Sequence, residues 1–125
     1  MTLRALDEER AAAMERLCEL IVPGSSSVGP VVYVDAVIAG MPPGVQAGAL
    51  ASIDALAPAS ADGADALAEH VNTPEFGLIR ALAIEAYYSD FVAPGKDGAG
   101  AWAEIDFNSP LATRLKKDWS YLGIA

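Results

Sequence analysis

The stretch TPEFGLIRALAIEAYYS, residues 73–89, decides the fold class. It opens on a helix start. Thr73 is a good N-cap, Pro74 suits the first helical position because its missing N–H would have no partner there, and Glu75 complements the positive end of the helix dipole. Phe76, Ile79, Leu82, Ala83, Ala86 and Tyr87 then recur at three- and four-residue spacing and line one face of a helix lasting to about Ser89. Upstream, Leu6 to Val22 sets Leu6, Ala13, Met14, Leu17, Leu20 and Ile21 on one helical face, with acids in its first turn and Pro23-Gly24 as a stop. Between these two helices, Gly24 to Gly29 reads as a small polar loop. Pro30 starts a second segment rich in Val and Ile that would also suit a strand; its context favours a helix ending at Gly40. Val45 to Ala57 repeats at helical spacing and is closed by Pro58, Ala59 to Gly63 reads as a linker, and Asp65 to Val71 as a short, weaker helix.

Downstream, Ala93 to Gly100 is an exposed turn, Trp102 to Ile105 adds one helical turn, and Ser109 to Trp119 forms a last short helix. The tail from Trp119 to Ala125 is too apolar for a solvated terminus, so something must cover it. The expected architecture is all-α: a single small irregular helical domain of about five helices over residues 1–125, with an extended apolar C-terminal tail.

Composition narrows what such a domain can do. The chain has 125 residues and a formal charge of −9. Its hydrophobic share is 53%, but 25 of those residues are alanine, which leaves 41 larger apolar side chains for one small core and little room to enclose a large cofactor. Nucleic acid and anionic membrane both require a basic footprint, which an acidic chain does not supply. The most apolar stretch, Leu20 to Met41, is broken by prolines, glycines, serines and Asp35, so no membrane insertion is expected. One cysteine, Cys18, permits no internal disulfide, and one histidine, His70, permits no His-rich metal site.

The catalytic patterns are missing as well. His70 lies near no nucleophile elbow, Gly24 to Gly29 lacks the lysine of a phosphate loop, and the turn at Gly95 to Gly100 follows no buried strand. Glu104 and Asp106 are two surface carboxylates in an acidic protein and read as a solvated face. Cys18 beside the apolar face of the first helix reads as a small hydrophobe. No catalytic, cofactor-binding or metal-ligating residue is expected. What stands out is aromatic. Phe76, Tyr87, Tyr88, Phe91, Trp102, Phe107, Trp119 and Tyr121 place eight of nine aromatics in the last 50 residues. Phe76, Tyr87 and Trp102 suit a core. Tyr88, Phe91, Trp119 and Tyr121 lean toward a partner, because one short helix cannot easily bury both faces of adjacent aromatics.

The run Glu85-Ala86-Tyr87-Tyr88-Ser89-Asp90, the Gly-rich turn, Trp102, Phe107 and the terminal Asp118-Trp119-Ser120-Tyr121 together resemble the small third subunit family of gluconate 2-dehydrogenase. The N-terminal Leu17-Cys18-Glu19-Leu20-Ile21-Val22-Pro23-Gly24, leading into a second helix with Val34-Asp35, is similar to that family's first helix and Asp-containing second helix. The resemblance covers most of the chain. It implies a non-catalytic small subunit bound to a large flavoprotein of the glucose–methanol–choline (GMC) type, with FAD and the catalytic base on the other polypeptide and a sugar, sugar acid or glycoside as substrate. It assigns an interface or structural role to Tyr87, Tyr88, Asp90, Trp102, Trp119 and Tyr121, to which the aromatic cluster adds Phe91 and Phe107. Asp90 is expected to cap the turn after its helix by accepting backbone N–H groups. Members of that family commonly begin with a twin-arginine export signal, whereas this sequence turns acidic within seven residues. A cytoplasmic location is therefore expected, with co-export on a signal-bearing partner as the alternative. A transient assembly chaperone for the flavoprotein and an independent helical binding module are the competing functions.

Overall fold

The computed structural model describes residues 2–96, 100–104 and 120–124. Within them the regular structure is helical, with no strand. Helix α1 spans Glu8–Ile21, α2 Pro30–Ala39, α3 Pro43–Asp62, α4 Ala64–Ala68, α5 Pro74–Tyr88 and α6 Ala101–Glu104. Short 3-10 turns occupy Ser25–Val28 and Ser120–Leu122.

The helix ends follow the capping chemistry of the sequence. Asp7, outside the first turn, caps α1 by accepting the Arg10 N–H at 2.8 Å, and Thr73 Oγ1 accepts the Phe76 N–H at 3.2 Å to start α5. The Val-rich segment is helical. Gly29 turns the chain in the left-handed region (φ 65°), Pro30 takes the first position, and Gly40 ends α2. A side chain at Gly29 would also meet the Cβ of Ala93 at 2.8 Å, so this corner requires glycine twice over.

Three expectations are corrected. The helix expected over Val45 to Ala57 runs from Pro43 to Asp62, through Pro58, so Ala59 to Asp62 is helix and not linker. Pro58 gives no N–H to the Asp54 carbonyl and its ring crowds that carbonyl, yet the helix continues. Beyond it Ala59 and Ser60 are buried, and the Ser60 hydroxyl accepts from Arg16 Nε of α1 at 3.2 Å while donating to the Ala57 carbonyl at 2.7 Å. Tertiary packing thus carries the helix past its proline. Val45, expected on the apolar face, is exposed in the first turn of this longer helix. The loop at Gly24 to Gly29 is not simply polar surface either, because Ser25 and Val28 are fully buried in its 3-10 turn.

The core forms where α1 packs on α3, α3 on α5, and α2 across α1 and α5. Met14, Leu17, Val34, Ile38, Ile53, Leu56, Ile79 and Phe91 are fully buried in it. Leu122 from the terminal turn is buried against the same cluster, and Ile124 packs against it partly buried. The described part of the tail is thus a docked turn and not an extended segment, and the chain itself covers much of its apolar surface. The helix expected over Ser109 to Trp119 lies outside the described residues.

Both chain ends are fastened to α2. Asp35, buried in that helix, accepts the backbone N–H of Arg4 (3.0 and 3.1 Å), Ala5 (2.8 Å) and Leu6 (2.9 Å). Successive N–H groups converging on one carboxylate form an anion nest, which offsets the cost of burying the charge. Arg4 in turn donates from Nη2 to the Leu122 carbonyl at 2.7 Å. One acidic side chain therefore holds the N-terminal strap, and the strap holds the C-terminal turn.

Candidate functional site

Residues from two of the motifs that carry the family resemblance line one groove. Tyr33, next to Val34-Asp35 on α2, donates its hydroxyl to Glu85 Oε1 at 2.8 Å, and Glu85 opens the Glu85 to Asp90 motif on α5. Tyr121 of the terminal motif lines the same groove, an open cavity of about 510 Å³ whose walls also include Arg4, Val37, Gly40 and Leu122. Burial first, then the Glu85 carboxylate and the neighbouring Tyr121 hydroxyl, push the Tyr33 phenol far above the usual tyrosine range. Tyr33 therefore remains a donor across the physiological range, and Glu85 is held in one orientation.

Two large aromatics face outward, one of them, Tyr121, in the groove. Tyr121 is 70% exposed and Tyr88, one turn beyond Glu85 on α5, is 52% exposed. Tyr87 is buried and meets the Tyr88 ring edge-on at 5.1 Å, so the second ring is braced by the first.

Asp90 works as a corner. It adopts φ 64°, a left-handed conformation that Asp tolerates better than most residues, and its buried carboxylate accepts the Trp102 N–H at 3.2 Å. It thereby fastens the first turn of α6. Gly100 makes the approach possible, since a Cβ there would collide with Asp90 Oδ1.

Phe91, expected to lean toward a partner, is fully buried and packs edge-on against Tyr33 with ring centroids 5.4 Å apart. The backbone reversal at Asp90 turns it inward. Trp102 and Phe76 are half-buried, while Phe107 and Trp119 lie outside the described residues. Asp106 and the side chain of Glu104 lie outside them as well. Tyr33, Arg4 and Glu85 received no role from the sequence. The available signal was that Tyr33 is the one aromatic outside the C-terminal cluster.

Cys18 is buried, and burial pushes its thiol up to about 12, which makes it a packing residue at neutral pH. His70 is half-buried, and its carbonyl accepts from the Thr73 hydroxyl at 2.7 Å. Among the described residues no group of three or more His, Cys, Asp or Glu side chains is placed to hold a metal ion, and no helix is long and apolar enough to cross a membrane.

No family model, curated protein or solved structure matches the chain.

Proposed function

We propose that the chain is a non-catalytic small subunit that binds and stabilises a large FAD-dependent oxidoreductase of the GMC type acting on a sugar, sugar acid or glycoside. The observation that supports this reading is that Glu85 and Tyr121, from two of the motifs that carry the resemblance, line one groove with Tyr33, where Tyr121 is largely exposed. Tyrosine joins large apolar area to a polar tip and is enriched at protein interfaces, so an exposed Tyr121 in the groove, with exposed Tyr88 one turn beyond Glu85, suits a docking face. The aspartates of the motifs have internal work: Asp35 fastens the N-terminal strap whose Arg4 lines the groove, and Asp90 fastens α6. FAD belongs to the partner on this reading, and the complex works in the cytoplasm or is co-exported on the partner's signal.

The test is co-expression with a large GMC-type flavoprotein from the same source, purified through a tag on the small chain. The expected result is co-purification of a flavin-absorbing large chain. Recovery of the small chain alone, with the large one soluble and active without it, would overturn the reading. One small chain per large chain in the mature enzyme marks a subunit, whereas its loss after flavin insertion marks an assembly chaperone.

A further inference from the structure

Among the described residues, the charged acceptor lining the groove is Glu85. Glu85 is exposed, lines the cavity and is oriented by the Tyr33 hydroxyl at 2.8 Å. A carboxylate has about four lone-pair positions, so the bond from Tyr33 leaves it able to accept a two-pronged donor. Tyr121, 70% exposed, presents ring surface along the same cavity, and Tyr88 stands one turn beyond Glu85. A carboxylate next to exposed tyrosine rings is suited to a planar guanidinium, which makes paired hydrogen bonds and stacks on aromatic faces, better than to a compact ammonium. The chain's charge of −9 steers a basic partner toward it. Arg4 lines the groove too, where its Nη2 donates to the Leu122 carbonyl. The volume of about 510 Å³ accommodates an arginine side chain together with the piece of backbone that bears it.

We propose that this groove seats an arginine presented by a partner polypeptide, its guanidinium on the Glu85 carboxylate and its stem against the Tyr121 ring. The identity of the partner rests on the function proposed above; the chemistry of the seat does not.

The experiment titrates the full isotope-labelled chain with Nα-acetyl-arginine N-methylamide and follows its amide NMR spectrum, with the citrulline analogue as the neutral isostere and the lysine analogue as the compact cation. Saturable shifts are expected for residues near Tyr33 to Gly40, Glu85 to Tyr88 and Ser120 to Gly123, with millimolar affinity. Lysine binds more weakly and citrulline does not saturate. Glu85→Gln, an exposed change that leaves the core intact, weakens arginine binding by about tenfold, and Tyr121→Ala by about threefold. Absence of saturation, equal binding of citrulline, or unchanged affinity in Glu85→Gln would each overturn the proposal. Arginine binding by a chain that fails to co-purify the flavoprotein would leave the seat standing and remove the proposed function. Co-purification without arginine binding would do the reverse.

Discussion

The Tyr33 hydroxyl donates to Glu85 Oε1 at 2.8 Å, joining α2 to α5 across 52 positions of sequence. The same Tyr33 ring packs edge-on against Phe91, so the polar contact at the groove rests on the hydrophobic core beneath it. Removing the hydroxyl separates the two roles. Tyr33→Phe keeps the ring packing and is expected to cost about 1 kcal/mol of stability by urea unfolding, the net scale of one hydrogen bond. Partner binding should fall by more than that loss of folding stability explains, because Glu85 is no longer oriented. Wild-type stability and wild-type binding together would show that the contact has no structural or docking role.

Asp35 is the more severe site. Its carboxylate accepts three consecutive backbone N–H groups from Arg4 to Leu6 inside the fold. Asp35→Ala leaves those donors without their acceptor and is expected to destabilise by about 2–4 kcal/mol in thermal or urea unfolding. The N-terminal strap should lose amide-exchange protection first, and the Ser120–Leu122 turn next, because Arg4 connects the two.

Gly100→Ala tests the Asp90 corner. A Cβ at this position collides with Asp90 Oδ1, so the carboxylate must leave the Trp102 N–H. The expected cost is about 1–3 kcal/mol, with a change in Trp102 fluorescence that Gly44→Ala, where a Cβ meets open space, does not produce.

Alkaline pH should destabilise the fold in a defined window. The Cys18 thiol is pushed from an ordinary value of 9.0 to about 12 in the folded chain. Above pH 9 the unfolded chain therefore releases a proton that the folded chain keeps. The stabilisation is complete below pH 9 and is lost as the pH rises toward 12, at about 1.4 kcal/mol per pH unit for this one group. The Tyr33 phenol, also raised, adds to the slope above its ordinary value of 10.0. Unfolding midpoints measured from pH 8 to 11 should fall, and Cys18→Ala should flatten the decline between 9 and 10. At neutral pH, alkylation of Cys18 should proceed only as fast as the chain opens.

Local capping and periodicity were legible in the sequence. Thr73, Pro74 and the Phe76 to Tyr87 spacing marked α5, and the Gly29-Pro30 pair marked the start of α2. The passage of α3 through Pro58 was not, because what sustains it is the burial of Ala59 and Ser60 against α1, a long-range contact that no local pattern encodes. Phe91 illustrates the same limit. Its neighbour Tyr88 is exposed, and only the left-handed turn at Asp90 decides that Phe91 points inward. The groove was half visible: Tyr121 and Tyr88 stood out as aromatics, but Arg4, Tyr33 and Glu85 come together only once both chain ends are fastened to α2.

Tyr121→Ala should act on binding and not on folding, since the ring is mostly exposed while the neighbouring Leu122 carries the burial. An interface anchor of this kind is expected to cost about 2 kcal/mol of partner affinity or more. Leu122→Ala should instead lower the melting temperature.

Whether this chain completes a larger flavoprotein is read from the native mass of the tagged small chain co-expressed with a large GMC-type flavoprotein from the same source. A single species whose mass is the sum of both chains and FAD, in fixed stoichiometry, is expected. A monomer with the mass of the small chain alone, alongside a large chain that is soluble, flavin-loaded and active without it, would contradict the account.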